Sequence, residues 1–269
     1  MSDYADWIGR TRESESVLDA ERTAWMAAAL GVPAPTDVLP ALWHWAFHAE
    51  AIQPADTGGD GHERLGAFMP PIPAKRRMFA GGEFIFHAPL HVGMATRLVR
   101  RVVSVDAKDG ATGPFHLVRV AFELSGDNGP LVTETRTIAY LPTTGGPRSG
   151  KPAPFDAELK KTIVPDTVQL FRFSAATGNS HRIHYDQPYA TGTEGYPGIV
   201  IHGPLQAMAL AALAEAHTGA PLATFTFRAL APPFIGDTLT LGARREGDVI
   251  ALQSTAQDGI ATMKATATT

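Results

Sequence analysis

Cysteine is absent from this chain of 269 residues. That one absence excludes disulfides, thiolate nucleophiles and cysteine-ligated metals. Charge is balanced: 23 basic against 27 acidic residues leave a formal net charge of -4, which gives no reason to expect nucleic acid as a partner. No apolar run approaches the length needed to cross a bilayer. The start, MSDYADWIGRTRESES, has no apolar stretch behind a basic stub and so does not read as a secretory signal. The expectation is a soluble, cytoplasmic protein with no membrane partner. What the chain does have is 44% apolar content, enough for one large core or two ordinary domains.

DAERTAWMAAALG reads as a short helix, with acidic residues near its start and Gly31 marking its end. LPALWHWAFHAEAI is apolar and aromatic, and residues 54–75 are loop-like, dense in Gly and Pro. From Glu83 the texture changes to strands: EFIFHAPL, TRLVRRVVSV, FHLVRVAFEL and LVTETRTIAYL carry β-branched and aromatic residues between turns. PTTGGPRSGKPAPFD is a connector. A second unit starts near Leu159. There TVQLFRFSAATG suggests a strand running into a short helical turn with Ser174 as its cap. YPGIVIHGPLQAMALAALAEAHTG suggests a strand, a turn and a helix. ATFTFRAL, DTLTLGARR, DVIALQSTAQ and GIATMKATAT read as an antiparallel sheet with turns at EGD and DG.

The expected division is therefore residues 1–145, a linker at 146–158, and residues 159–269. The halves echo each other. FIFHAPLHVG, from Phe84 to Gly93, resembles FTFRALAPPFIG, from Phe225 to Gly236. Each opens with phenylalanines at alternate positions and closes on glycine, which argues for two copies of one supersecondary unit.

In IHGPLQAMALAALAEAHTG, Pro204 directly follows Gly203. Proline suits the first helical position, where its missing N–H is no loss, so the helix is expected from about Pro204 to Ala216. Between Gln206 and Glu215 its residues are Ala, Met and Leu on every side. A helix apolar all round is buried, here with a curved antiparallel sheet around it. Its first N–H groups lack intrahelical partners and carry the positive end of the dipole. Gly-Pro alone is an ordinary turn-and-start signal. It gains meaning from what lies upstream.

That upstream stretch is ATGNSHRIHYD, from Ala176 to Asp186. Thr-Gly-Asn-Ser favours a turn, which lets Asn179 and His184 meet although their spacing does not stack them on a helix. Histidine is matched to proton transfer near neutral pH. Asparagine carries no proton but orients a water or carbonyl through donor and acceptor atoms. The pair suits water activation better than covalent attack. His181 reads as structural support and His202 as a residue that orients the helix start. A zinc site from His181, His184 and His202 lacks the usual helical pair, so no metal is expected. A hydrolase nucleophile at Ser180 lacks a GxSxG elbow. Asp186 is placed to orient a histidine or cap the next turn.

At FRFSAATGNSHRIHYD, GYPGIVIHGPL and PPIPAKRRMFAGGEFIFHAPLHVG the sequence resembles the MaoC-like enoyl-thioester hydratases and dehydratases. Within them it is most similar to the branch of type-two hydroxyacyl-thioester dehydratases and mesaconyl-coenzyme A (3-methylfumaryl-coenzyme A) hydratases. The resemblance covers the chain from about residue 40 onward. It implies an α+β fold, the double hot dog, each half an antiparallel sheet wrapped around a central helix. It also implies that Asn179 stands where the wider family has an acid, that His184 is the catalytic histidine, and that the backbone N–H of Gly203 is the oxyanion donor. An acid is missing from that motif, which leaves His184 as its one proton carrier.

The activity implied is reversible hydration of an enoyl-coenzyme A thioester, with a short branched dicarboxylic acyl group such as mesaconyl- or itaconyl-coenzyme A. No separate cofactor is expected, since coenzyme A is part of the substrate. Lys75, Arg76 and Arg77 form a cationic run suited to phosphates or a carboxylate. Arg182 and His202 beside the site join them as candidate binding residues. The run reads equally as solvated surface. Three alternatives stay open: a 3-hydroxyacyl-thioester dehydratase of fatty acid synthesis acting on an acyl carrier protein, a hot dog thioesterase, and a non-catalytic acyl-thioester-binding subunit. The first half has no counterpart of GNSHRIH and reads as non-catalytic. Association as a homodimer is a further expectation.

Overall fold

A computed structural model describes residues 4–110 and 113–269; the first three residues of the polar start lie outside it. The first half contributes β1 (Thr11–Val17), α1 (Ala20–Leu30), β2 (Arg76–Phe86), β3 (Ala95–Gly110), β4 (Gly113–Gly126) and β5 (Gly129–Leu141). The second contributes β6 (Leu159–Ile163), α2 (Thr167–Thr177), α3 (Gln187–Gly192), α4 (Gly203–Thr218), β7 (Thr224–Ala229), β8 (Leu239–Glu246), β9 (Val249–Ala256) and β10 (Ala261–Thr268). The strands form one ten-stranded antiparallel sheet in the order β1-β3-β4-β5-β2-β7-β10-β9-β8-β6.

Period-two alternation sets which side chains face the core. On β3, Thr96, Leu98, Arg100 and Val102 are buried in turn. A bulge after Val102 shifts the register, so the next buried apolar residue is Val105. On β4 the buried row is Val118, Val120, Phe122 and Leu124.

The two echoing segments turn out to be partners. β2 pairs with β7 in the middle of the sheet, placing Phe84 opposite Phe225 and Gly82 opposite Phe227. Phe84 stacks on Phe227 with ring centroids 6.2 Å apart and meets Phe225 at 6.1 Å. Gly82 is needed there, because a Cβ at that position would lie 2.8 Å from both phenyl rings. Each segment ends in a glycine with nearly the same left-handed φ, 91° at Gly93 and 92° at Gly236. The internal echo is thus a local two-fold, joined at its axis.

α4 runs from Gly203, with Pro204 in its first turn, and ends on Gly219 in the left-handed region. It extends two residues beyond the expected Ala216. Its apolar residues pack as anticipated: Leu205, Ala207, Met208, Leu210, Ala211, Leu213 and Ala214 are all buried against the second half of the sheet. α1 starts on Asp19, whose carboxylate accepts from Arg22 N at 2.8 Å, and ends on Gly31.

Two expectations need correction. Residues 167–177 are a helix and not a strand. Asp166 caps it by accepting from Gln169 N at 2.7 Å, and Leu170 and Phe173, one turn apart, bury completely. Cap and spacing outweigh the weak strand preference of Thr167 and Val168. Ser174 is therefore inside α2, not at its cap. Residues 199–201 are also not a strand; Val200 makes one isolated bridge, to Phe234. Conversely, β1 carries TRESESV, with no apolar face to announce it. It forms as an edge strand on β3, register Thr11 to Arg101.

Phe225 is fully buried at the joint. Phe225→Ala is expected to lower stability by about 3–5 kcal/mol, as read by urea denaturation of the purified protein, whereas the exposed Phe171→Ala should change it by less than about 1 kcal/mol.

Candidate active site

The polar turn is built by a helix end. α2 stops at Gly178, φ 62°, and Asn179 Oδ1 accepts from His181 N at 3.2 Å. A single 3-10 turn, Arg182–His184, follows. Asp186 then caps α3, accepting from Tyr189 N at 3.1 Å, and holds Arg182 at 2.7 Å. The first half clamps this turn. Arg182 N donates to Asp60 O at 2.9 Å, Arg182 Nη1 to Gly59 O at 3.0 Å, and Ser180 Oγ to Gly61 O. Gly61 sits at φ 94°, and a Cβ there would lie 2.0 Å from Ser180 O. Only glycine allows that approach. Ser180 is thus a clamp residue rather than a nucleophile.

His184 is buried, with Nδ1 2.8 Å from Val200 O. A carbonyl only accepts, so Nδ1 carries the hydrogen and Nε2 carries the lone pair. Nε2 has no hydrogen-bond partner among the described residues. The ring stacks on His202 at 3.7 Å, and His202 Nε2 lies 2.8 Å from Ser174 Oγ. Burial, helped by the charge of His181, pulls the His184 pKa down to about 3. The ring is a neutral acceptor at any ordinary pH.

The start of α4 lines the same cavity as His184. The Gly203 N–H has no acceptor among the described residues, and a Cβ on Gly203 would meet nothing within 4 Å. Gln206 lies one turn in. Its Oε1 accepts from Thr262 Oγ1 at 2.7 Å and Ser254 Oγ at 3.2 Å, which leaves its NH2 as a further donor.

Asn179, His184, Gly203 and Gln206 line one cavity of about 620 Å³. Arg76 and Arg77 line it as well; Lys75 and Arg182 do not. Lys75 is exposed, and Arg182 is turned onto Asp186 and Gly59. Arg77 is held by Asp60 through Nε and Nη2, at 2.5 and 3.0 Å. Arg76 donates to Tyr196 Oη at 2.9 Å and to Thr143 O at 3.2 Å. His202 lies behind His184, fully buried. The expected binding set is thereby divided: two of its cations reach the cavity, already partnered. Among the described residues no cluster of His, Asp and Glu has the geometry to hold a metal ion.

The far wall comes from strands expected from the sequence, through residues that the sequence did not single out. Glu134 on β5 is 1% exposed. It accepts from Trp45 Nε1 at 3.0 Å, lies 3.2 Å from His44 Nε2, and is gripped by Arg136. Burial opposes its charge, but Arg136 and His44 outweigh this and hold its pKa down to about 2. Arg136 lies over the Phe122 ring at 4.0 Å. Arg100 on β3 donates to His48 O and pairs with Glu50. The signal for these residues was parity. Arg100 shares the inward face with Leu98 and Val102, and Glu134 follows the buried Val132 two residues on. A charge at an inward position of an apolar alternation is a site signal. His181 also lines the cavity, its Nε2 2.8 Å from Glu194 Oε1.

Comparison with known proteins identifies the family and the fold. Residues 42–235 match the family model described as hydroxyacyl-thioester dehydratase type 2. A mesaconyl-C(4)-CoA hydratase of Chloroflexus aurantiacus is 40% identical, covering 98% of this chain and 97% of its own. A MaoC-like dehydratase from Phytophthora capsici superposes with a TM-score of 0.76 at 14% identity, over 97% of this chain and 95% of that one. A Mycobacterium tuberculosis protein described as having a double hotdog fold superposes at 0.59 and 16% identity, over 97% and 95%. The fold is the double hot dog.

Burial holds four histidines neutral: His48, down to about 4, His184, down to about 3, and His62 and His202, each well below its ordinary value. Their folded-state pKa values lie below the unfolded value, so the stability they contribute is complete above the unfolded pKa of about 6.5 and is lost as pH falls. Between about pH 7 and pH 5, His184 alone is expected to cost about 2 kcal/mol. The urea midpoint should fall steeply over that interval, and His202→Asn should flatten the fall.

Proposed function

The chain belongs to the hydroxyacyl-thioester dehydratase type 2 family, and from that premise we propose that it is a hydro-lyase adding water reversibly to an enoyl-coenzyme A thioester. The acyl group we assign is short, branched and dicarboxylic, such as mesaconyl- or itaconyl-coenzyme A, in line with the relative from Chloroflexus aurantiacus. One observation carries the reading: the free Nε2 of His184, the Asn179 amide and the unpaired N–H of Gly203 open on one cavity.

The steps follow from those atoms. The thioester carbonyl accepts from Gly203 N–H at the positive end of α4. Water is held by the Asn179 amide and by His184 Nε2. His184 takes a water proton as oxygen bonds to the β carbon. The π pair moves toward the carbonyl, and the enolate gains most from the Gly203 donor. Protonation of the α carbon completes hydration, and dehydration is the reverse. Coenzyme A enters as part of the substrate; no other organic group is called for. The first half is assigned no proton-transfer residue. It supplies Gly61 and Asp60 to brace the turn, together with the far wall. A cytoplasmic location and pairing as a homodimer belong to this reading as its finer points; the same chemistry on a carrier-protein thioester is the alternative to it.

The dicarboxylic assignment has support on the far wall. Glu134 occupies Nε and Nη2 of Arg136, leaving Nη1 for a ligand. Phe122 and Trp45 hold the guanidinium, with Trp45 5.4 Å from it. A bound carboxylate there meets a preoriented cation.

His184→Ala and Asn179→Ala are each expected to lower kcat for hydration by about 100-fold or more, followed by mass spectrometry as the gain of one water; near-normal turnover in both variants ends the proposal. Release of free thiol without water addition would instead identify a thioesterase.

Arg136→Met is expected to raise KM for mesaconyl-coenzyme A by about tenfold or more while changing KM for crotonyl-coenzyme A by less than about threefold. Equal effects on both substrates, or a wild-type preference for crotonyl-coenzyme A, remove the carboxylate assignment.

A further inference from the structure

The proposed hydration leaves the α-carbon proton without a dedicated donor, since Asn179 stands where an acid was expected and His184 is the acceptor. A second buried proton carrier lies beside them. Glu194 is 1% exposed, and its Oε1 lies 2.8 Å from His181 Nε2. No arginine or lysine among the described residues pairs with it, and His181 is its ion-pair partner. A carboxylate buried this deeply requires a donor against it, and the His181 ring is the group in place. Tyr189 is a neighbour of Glu194, and burial, with Glu194 and then Asp60 nearby, pushes its phenol up.

With Nε2–H given to Glu194, the other ring nitrogen of His181, Nδ1, has no partner among the described residues. His181 lines the cavity, and its ring meets that of His184 edge-on, centroids 5.7 Å apart at 86°. His62 contributes a third ring, 4.9 Å from His181. Two histidines thus share one cavity in opposite electrostatic settings, one bonded to a carbonyl and one to a carboxylate. Such divergent settings separate a base from an acid.

We propose that His181, held by Glu194, is the general acid that protonates the α carbon, while His184 is the base. This rests on the hydratase reading above and deepens it. In the hydration direction His184 Nε2 takes a proton from water, whose oxygen bonds to the β carbon. The enolate pair then forms the α C–H bond with the proton from His181 Nδ1. His184 ends with one extra proton and His181 with one fewer, so exchange with solvent restores both, and the net change is one water added. Glu194 is a positioning residue. The titratable and charged groups around His181 are Glu194, His184 and His202 from the second half, and His62, Asp60 and its partner Arg77 from the first.

The test uses the full chain and mesaconyl-coenzyme A, with hydration followed across pH. His181→Gln is expected to lower kcat by about 100-fold or more with KM within about threefold. Glu194→Gln is close to isosteric and keeps the fold testable if His181→Gln does not. It is expected to move the alkaline fall of kcat to lower pH, because the acid must stay protonated, and Glu194→Asp should restore part of the shift. A His181→Gln enzyme with normal kcat, or a Glu194→Gln enzyme with an unmoved profile, overturns the role of His181 while wild-type hydration leaves the hydratase reading intact. A wild-type enzyme that adds no water to any enoyl thioester overturns that reading and this role with it.

Discussion

The pairing of β2 with β7 is the constraint on which the site depends. It makes one sheet of two halves and sets a single register across them. Arg100 opposes Phe122, Phe122 opposes Glu134, Glu134 opposes Phe84 and Phe84 opposes Phe225, a row that crosses five strands. The adjacent row runs Val120, Arg136, Gly82, Phe227. The far wall of the cavity is therefore aligned with the joint itself. The same joint brings the 57–63 loop over the second half, where Asp60 and Gly61 reach the Asn179–Arg182 turn.

Inside that frame, protonation is set by which atom each ring nitrogen meets. A backbone carbonyl fixes the hydrogen of His184 on Nδ1 and leaves its lone pair on Nε2. The contact with Val200 is itself anchored, since Val200 N donates to Ile183 O at 3.0 Å. Ser174 takes the facing nitrogen of His202, which stacks beneath. The serine expected at a helix cap is thus one link in this series of contacts. Burial does the rest, disfavouring charge on every ring that lacks an anion.

What could be read in the sequence was what is local. Asn179, His184 and Gly203 lie in a turn and at a helix start, where composition speaks within a few residues. The paired phenylalanines at 84–86 and 225–227 disclosed the internal duplication, though not that the two copies hydrogen-bond to each other. Three kinds of feature were illegible for stated reasons. β1 has no apolar face, so only its partner β3 makes it a strand. α2 opens with strand-favouring residues whose preference the Asp166 cap and the burial of Leu170 and Phe173 together override. Arg100, Glu134 and Arg136 are separated by up to 36 positions in the chain and converge only through strand register. The conspicuous run at Lys75–Arg77 divides by position: Lys75 is exposed, while Arg76 and Arg77 line the cavity and hold Tyr196 and Asp60.

The wall that carries Glu134, Arg136 and Arg100 has one more implication. It belongs to the copy of the repeat that lacks the polar turn, and it is mounted on strands rather than on α4. Because the two walls rest on separate elements, side chains on β3 and β5 can change the shape and charge of the cavity without moving the Asn179–His184 turn or the start of α4.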